Sequence, residues 1–82
     1  MLRSEIFNKL CDLLVMMDAS KKAIIPNLKE ESRLQEDVGL ASVSLLYLMI
    51  AIEESFGIEF DNLGVSDLPT IKDVIDYIEK KL

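Results

Sequence analysis

Residues 38–57 read VGLASVSLLYLMIAIEESFG and predict the central helix of the molecule. Ser42 stands where a loop-like stretch gives way to a helical pattern, and Gly57 follows the last apolar residue of that pattern. Glycine suits the left-handed cap that ends many helices, so we predict a helix from Ser42 to Phe56. The free N–H groups and the positive dipole end of a helix favour an anion at its start. The pattern therefore predicts a phosphate attachment site at Ser42.

The predicted central helix carries two apolar stripes. One stripe has the spacing of a core-facing surface and consists of Leu45, Leu48, Met49, Ile52 and Phe56. The other contains Leu46, Tyr47 and Ile50 and leads into Glu53 and Glu54. Because one helix of a small bundle cannot readily bury both stripes, we expect part of the second to bind a partner or cargo. The alternative is that Leu46 and Ile50 belong to the core.

Amphipathic patterns on both sides predict two further helices. In the first, from Ser4 to about Met17, apolar residues recur every three or four positions at Ile6, Leu10, Leu13, Leu14 and Met17. The last begins after Thr70, a good N-cap with Asp73 three residues on, and its apolar stripe is Ile71, Val74, Ile75, Ile78 and Leu82. No strand pattern is present, and a short turn of helix is expected between Asp61 and Ser66. The sequence thus predicts an all-α fold, a small bundle of three to four helices.

A long loop is predicted between the first two helices. The stretch from Ala19 to Leu40 contains Pro26 and shows no sustained period. Long loops without secondary structure of their own are often functional. This loop leads directly to Ser42, so we expect it to pack across helix ends and to present the serine.

Size and composition indicate a single small domain, residues 1–82, without a catalytic centre of its own. The chain has no histidine, the commonest general base and metal ligand, and one cysteine, Cys11, cannot form a thiolate metal cage. Glu53 and Glu54 lie about 100° apart on a helix, so they do not converge as paired catalytic carboxylates do. We therefore expect no catalytic residue, no metal site and no enzymatic activity.

The charge distribution argues against nucleic acid as a partner. The formal net charge is −6, and residues 30–61 hold eight acidic side chains against one basic side chain, Arg33. Such a surface repels nucleic-acid phosphate and anionic lipid and attracts basic protein partners, although it is also compatible with a merely solvated surface. The lone cysteine, the charges near the N-terminus and the lack of a long uncharged run predict a cytoplasmic protein without membrane insertion. We also expect a monomer.

The spacing of these features resembles that of the acyl carrier proteins. In that family, a serine at the start of the second helix is followed after eleven residues by Glu-Glu-x-Phe. Here Ser42 precedes Glu53 by eleven residues, whereas Ser44 does not. The resemblance spans most of the chain and is closest at residues 53–58 (EESFGI) and 76–78 (DYI). It implies a bundle of the acyl-carrier type.

The resemblance also implies a covalent carrier. Ser42 would receive a 4′-phosphopantetheine arm from coenzyme A through a phosphopantetheinyl transferase, and the thiol of the arm would hold acyl groups as thioesters. The partners implied are this transferase and acyl-loading, synthase or transferase enzymes with basic docking surfaces. The residues expected to contact them are Leu46, Tyr47, Ile50, Glu53 and Glu54.

Three positions depart from the family pattern. Ala41 replaces the aspartate that helps the transferase and its magnesium engage the carrier, Val43 replaces a leucine, and Tyr47 replaces a frequent glutamate. These departures predict a specialised carrier of fatty-acid, polyketide or peptide synthesis that a housekeeping transferase modifies poorly. The alternative is a helical interaction module with a carrier-like fold and no arm, whose apolar stripe only docks a partner.

Overall fold

Three α-helices dominate the structure. The computed structural model describes residues 1–61 and 67–82, and in these two ranges the backbone contains no β-strand, only one isolated bridge. Helix α1 comprises Arg3–Met17, α2 comprises Ser42–Phe56, and α3 comprises Ile71–Lys81. The prediction of an all-α fold is confirmed, and each helix begins within one residue of its predicted start.

The helix ends follow the capping chemistry of the sequence. At α3 the Asp73 N–H donates to Thr70 Oγ1 (3.2 Å), and the Thr70 N–H donates to the Asp73 carboxylate (3.1 Å). At the end of α2, Gly57 has a φ of +67°, and its N–H donates to the Glu53 carbonyl (2.9 Å). These bonds pair backbone groups that a helix end leaves without an intrahelical partner.

The inward faces of the helices enclose an apolar core. Its four most buried helical side chains are each 0% exposed and come from all three helices: Ile6, Ile52, Ile75 and Ile78. The predicted stripes supply most of this core, but for two of their residues the prediction of burial is wrong. Met17 and Leu82 are 36% and 57% exposed, because they lie at the last residue of α1 and just after α3.

The long connection from α1 to α2 contains short helical segments. It begins with two 3₁₀ helices, Ala19–Ala23 and Ile25–Asn27. The carboxylate of Asp18 accepts hydrogen bonds from the Ser20 N–H (3.0 Å) and hydroxyl (2.7 Å), which starts the first of them. Such short segments with three residues per turn give no α-helical periodicity. The helical turn predicted between Asp61 and Ser66 lies outside the described residues, apart from Asp61.

The later part of the connection runs beside the start of α3. The Leu34 N–H donates to the Pro69 carbonyl (3.0 Å), and the Ile71 N–H donates to the Ser32 carbonyl (3.0 Å). The second bond uses an N–H group that the first turn of a helix cannot pair internally. Because Leu34 is also buried, this part of the connection is fixed to the core.

Arg3 joins α1 to the connection and to α3 through ion pairs. Its guanidinium contacts Glu30 (2.6 Å), Asp76 (2.7 Å) and Glu79, and Asp76 also pairs with Lys72 (2.7 Å). The hydrogen bond from Arg3 lowers the pKa of Glu30, and those from Lys72 and Arg3 lower the pKa of Asp76. The guanidinium pKa of Arg3 is raised in turn, chiefly by Glu30 and Asp76.

Candidate functional site

The segment before α2 is anchored so that Ser42 reaches the surface. Val38 and Leu40 are buried, and the Leu40 N–H donates to the Leu34 carbonyl (3.0 Å). Between them Gly39 has a φ of +80°, which glycine adopts without strain and other residues rarely do. The chain thereby passes from the core to the start of α2, where Ser42 is exposed.

Ser42 does not cap α2, although serine is a favoured N-cap residue. The N-cap is Ala41, with φ of −76° and ψ of 166°, and Ser42 is the first residue of the helix. Within residues 1–61 and 67–82, no group forms a hydrogen bond with the Ser42 hydroxyl. Ser44, two residues on, is half-buried. An exposed hydroxyl without a structural role is therefore present at Ser42.

The first turn of α2 supplies donors for an anion. The first hydrogen bond of the helix runs from the Leu45 N–H to the Ala41 carbonyl (3.0 Å). The N–H groups of residues 42–44 precede it and have no acceptor within the described part of the chain. Free N–H groups at the positive end of a helix favour a phosphate. The residues present thus fit a phosphate group carried by Ser42.

One face of α2 is apolar and exposed to solvent. We call Val43, Leu46, Tyr47 and Ile50 the outer face of α2; they are 61%, 53%, 62% and 52% exposed. The alternative that placed Leu46 and Ile50 in the core is wrong. Val43 was missed as a member of this face, although its spacing of three, four and seven residues from the others would have revealed it. The outer face begins one residue after Ser42.

Glu53 and Glu54 occupy different environments. Glu53 is half-buried, and its Oε2 accepts a hydrogen bond from the Phe60 N–H (2.9 Å). Glu54 is exposed, and none of the ion pairs among the described residues includes it. Adjacent helical positions point about 100° apart, which separates the two carboxylates. Glu53 therefore holds the segment after α2, and Glu54 is the more accessible of the two.

Nearby cations partly neutralise the acidic side chains of residues 30–61 in the folded protein. Three of its eight acids form ion pairs, Glu30 with Arg3, Asp61 with Lys81, and Glu36 with Arg33. Arg3 and Lys81 come from α1 and α3, so the sequence segment alone did not contain the cations that neutralise it. Electrostatic attraction of a basic partner is accordingly weaker than the segment's composition indicates.

The described residues contain no cluster of potential metal ligands and no exposed thiol. No group of three or more potential ligand side chains there could hold a metal ion. Cys11 is buried, and burial raises the pKa of its thiol, which keeps the sulfur protonated and poorly nucleophilic. None of the described helices has the length and apolar character needed to cross a membrane.

The chain is similar to several bacterial carrier proteins. The acyl carrier protein of Thermotoga maritima is 32% identical over 83 aligned residues, which cover 98% of this chain and 95% of that protein. The acyl carrier protein of Campylobacter hominis is 36% identical over 76 residues, covering 92% and 91%. That of Nitratidesulfovibrio vulgaris is 40% identical over 53 residues, covering 65% and 70%. No protein-family model matches the chain.

Proposed function

Because the chain belongs to the acyl carrier protein family, we propose that Ser42 carries a covalent 4′-phosphopantetheine arm and presents acyl groups to other enzymes. The observation that supports this most directly is the exposed Ser42 hydroxyl, which neither caps α2 nor bonds to another described group. In this role the protein is a covalent cosubstrate of other enzymes and performs no catalysis itself.

The residues around Ser42 have distinct parts in holding the arm. Ser42 Oγ is the attachment atom, and the N–H groups at the start of α2 offer donors to its phosphate. The arm itself supplies the thiol on which an acyl group is held as a thioester. Val38 and Leu40 fix the preceding backbone in the core and so orient the serine.

The outer face of α2 is the proposed docking surface for partner enzymes. Its exposed members Leu46, Tyr47 and Ile50 lie on the helix that begins with Ser42, so a bound enzyme would also be close to the arm. Glu54 adds an accessible negative charge near the end of this face, which suits a basic residue of the partner. The partners proposed are a phosphopantetheinyl transferase and acyl-loading, synthase or transferase enzymes.

The pathway proposed is a specialised fatty-acid, polyketide or peptide synthesis. No charged residue occurs from Ser42 to Ile52, so docking to this face relies on apolar contact more than on charge. Ala41 offers no carboxylate to a transferase-bound magnesium ion. Both features favour dedicated partners over housekeeping ones.

Two serines near the start of α2 make the attachment testable. Native protein, Ser42→Ala and Ser44→Ala are incubated with coenzyme A and a broad-specificity phosphopantetheinyl transferase, and their intact masses are compared. We expect the native protein and Ser44→Ala to gain the mass of the arm and Ser42→Ala to gain nothing. Modification of Ser42→Ala would refute the assignment. An unmodified native protein would favour the alternative, an interaction module without an arm.

A further inference from the structure

Lys21 lies against the backbone that leads to Ser42. It belongs to the 3₁₀ helix Ala19–Ala23, and its Nζ donates to the Gly39 carbonyl at 3.5 Å, the long limit of a hydrogen bond. A Cβ added to Gly39 would meet this nitrogen at 3.2 Å. The ammonium group therefore rests on the glycine, three residues before the serine.

The contact with Gly39 leaves Lys21 without an ion-paired carboxylate in the described part of the chain. Lys21 takes part in none of the ion pairs in residues 1–61 and 67–82, and the carbonyl that it contacts is neutral. Two hydrogen bonds from Ser20 and the nearby charge of Lys21 lower the pKa of Asp18, but Lys21 forms no ion pair with this carboxylate. At position 41, where the family pattern has an aspartate, Ala41 offers no negative group. A half-buried lysine therefore lies beside the backbone that precedes Ser42 and can bind an anion there.

We propose that Lys21 binds the phosphodiester formed on Ser42 and holds the first part of the arm against residues 38–42. This inference rests on the proposed function, because it needs the arm on Ser42. Three residues of extended chain span at most about 11 Å, which sets the upper limit of the separation between Gly39 and Ser42. Lysine is a common phosphate ligand, and a charge-assisted hydrogen bond to an anion is roughly twice as strong as one to a neutral carbonyl. Lys21 therefore exchanges its long bond to Gly39 for the phosphate.

The phosphorus nucleus of the arm reports this contact directly. The native protein is loaded with coenzyme A and a broad-specificity transferase, loading is verified by intact mass, and the ³¹P resonance of the phosphodiester is recorded. Salt is then raised from about 0.1 M to about 1 M, which shortens the screening length from about 10 Å to about 3 Å. We expect the resonance to move toward that of the same phosphodiester in urea-denatured loaded protein, because screening weakens the Lys21 contact.

Three variants separate Lys21 from a general effect of charge. Lys21→Met should move the low-salt resonance toward that of the denatured loaded protein and lose the salt response, whereas Lys21→Arg should keep the native resonance and the salt response. Lys22→Met is the matched control, because Lys22 is exposed, lies in the same 3₁₀ helix and has no bond to Gly39 in the described structure. It removes the same charge and should leave the resonance unchanged.

The outcomes distinguish this inference from the proposed function. Loading of the native protein followed by identical ³¹P resonances in native and Lys21→Met proteins would overturn the role of Lys21 alone. Equal shifts in Lys21→Met and Lys22→Met would overturn it too, because only net charge would then matter. Failure of every form to accept the arm would overturn both. If Lys21→Met does not fold, the native protein and Lys21→Arg still test the contact: a native resonance that does not respond to salt, or a Lys21→Arg resonance that differs from the native one as Lys22→Met does not, contradicts it.

Discussion

Ile50 and Ile52 stand two residues apart on α2 and should respond very differently to truncation. Ile52 is 0% exposed in the core, whereas Ile50 is 52% exposed on the outer face of α2. Replacing Ile52 with Ala removes three buried carbon atoms, at about 0.8 kcal/mol each, and leaves a cavity, so the expected loss is about 2–5 kcal/mol. Because Ile50 is about half exposed, Ile50→Ala removes only about half of that burial free energy, about 1 kcal/mol. The better helix propensity of Ala offsets part of this loss.

Urea and thermal denaturation followed by circular dichroism measure this difference. In a domain of this size, 1 kcal/mol shifts the melting temperature by about 4–8 °C. We expect Ile52→Ala to melt at least 10 °C below the native protein, about 2 kcal/mol or more, and Ile50→Ala to melt only a few degrees lower. If Ile52→Ala does not fold, Ile52→Val is measured in its place, with an expected loss of stability of about 0.5–1.5 kcal/mol. Equal losses for Ile50→Ala and Ile52→Ala would refute the division of α2 into a core face and a docking face.

Three further perturbations test other parts of the account. Ala41→Asp should stabilise the protein by about 1 kcal/mol in urea denaturation by capping α2, and should raise the initial rate of a housekeeping transferase; no gain in either would refute our interpretation of Ala41. Because Glu30 and Asp76 have lowered pKa values in the fold, the stability they contribute is present above about pH 4.5 and lost as the pH falls through the lowered values. Urea titrations should therefore show a smaller acid-induced loss for Arg3→Met than for the native protein, and identical losses would contradict the ion-pair cluster. Glu54→Lys should slow association with a basic partner at low salt but not at high salt, and a rate unchanged at low salt would leave Glu54 as a solvated residue.

Local chemistry explains why the helices could be predicted from the sequence. The Thr70 and Asp73 side chains form their capping box within four residues, and Gly57 ends α2 by its own conformational preference. The unpaired hydroxyl of Ser42 could not be predicted from local sequence, because a serine before an apolar helix usually caps that helix. Only the structure shows that Ala41 is the N-cap and leaves the hydroxyl unused.

Contacts between distant parts of the chain explain the errors. Arg3 and Glu30 are separated by 27 positions, so no local pattern reveals that the acidic segment receives a cation from α1. The separate roles of Glu53 and Glu54 likewise depend on where Phe60 lies after the helix. Lys21 was overlooked because its nearness to Gly39 arises from a 3₁₀ helix that has no α-helical period.

Peptide mapping by tandem mass spectrometry tests the central claim most directly. Trypsin cleaves after Arg33 and Lys72 and leaves both candidate serines in one peptide, residues 34–72, because no Lys or Arg lies between these two sites. The protein is co-expressed with a broad-specificity phosphopantetheinyl transferase, and fragmentation on either side of Val43 assigns the arm to Ser42 or to Ser44. We predict a peptide that carries the arm on Ser42 alone. An arm on Ser44, or a peptide that stays unmodified in folded protein, would contradict the account.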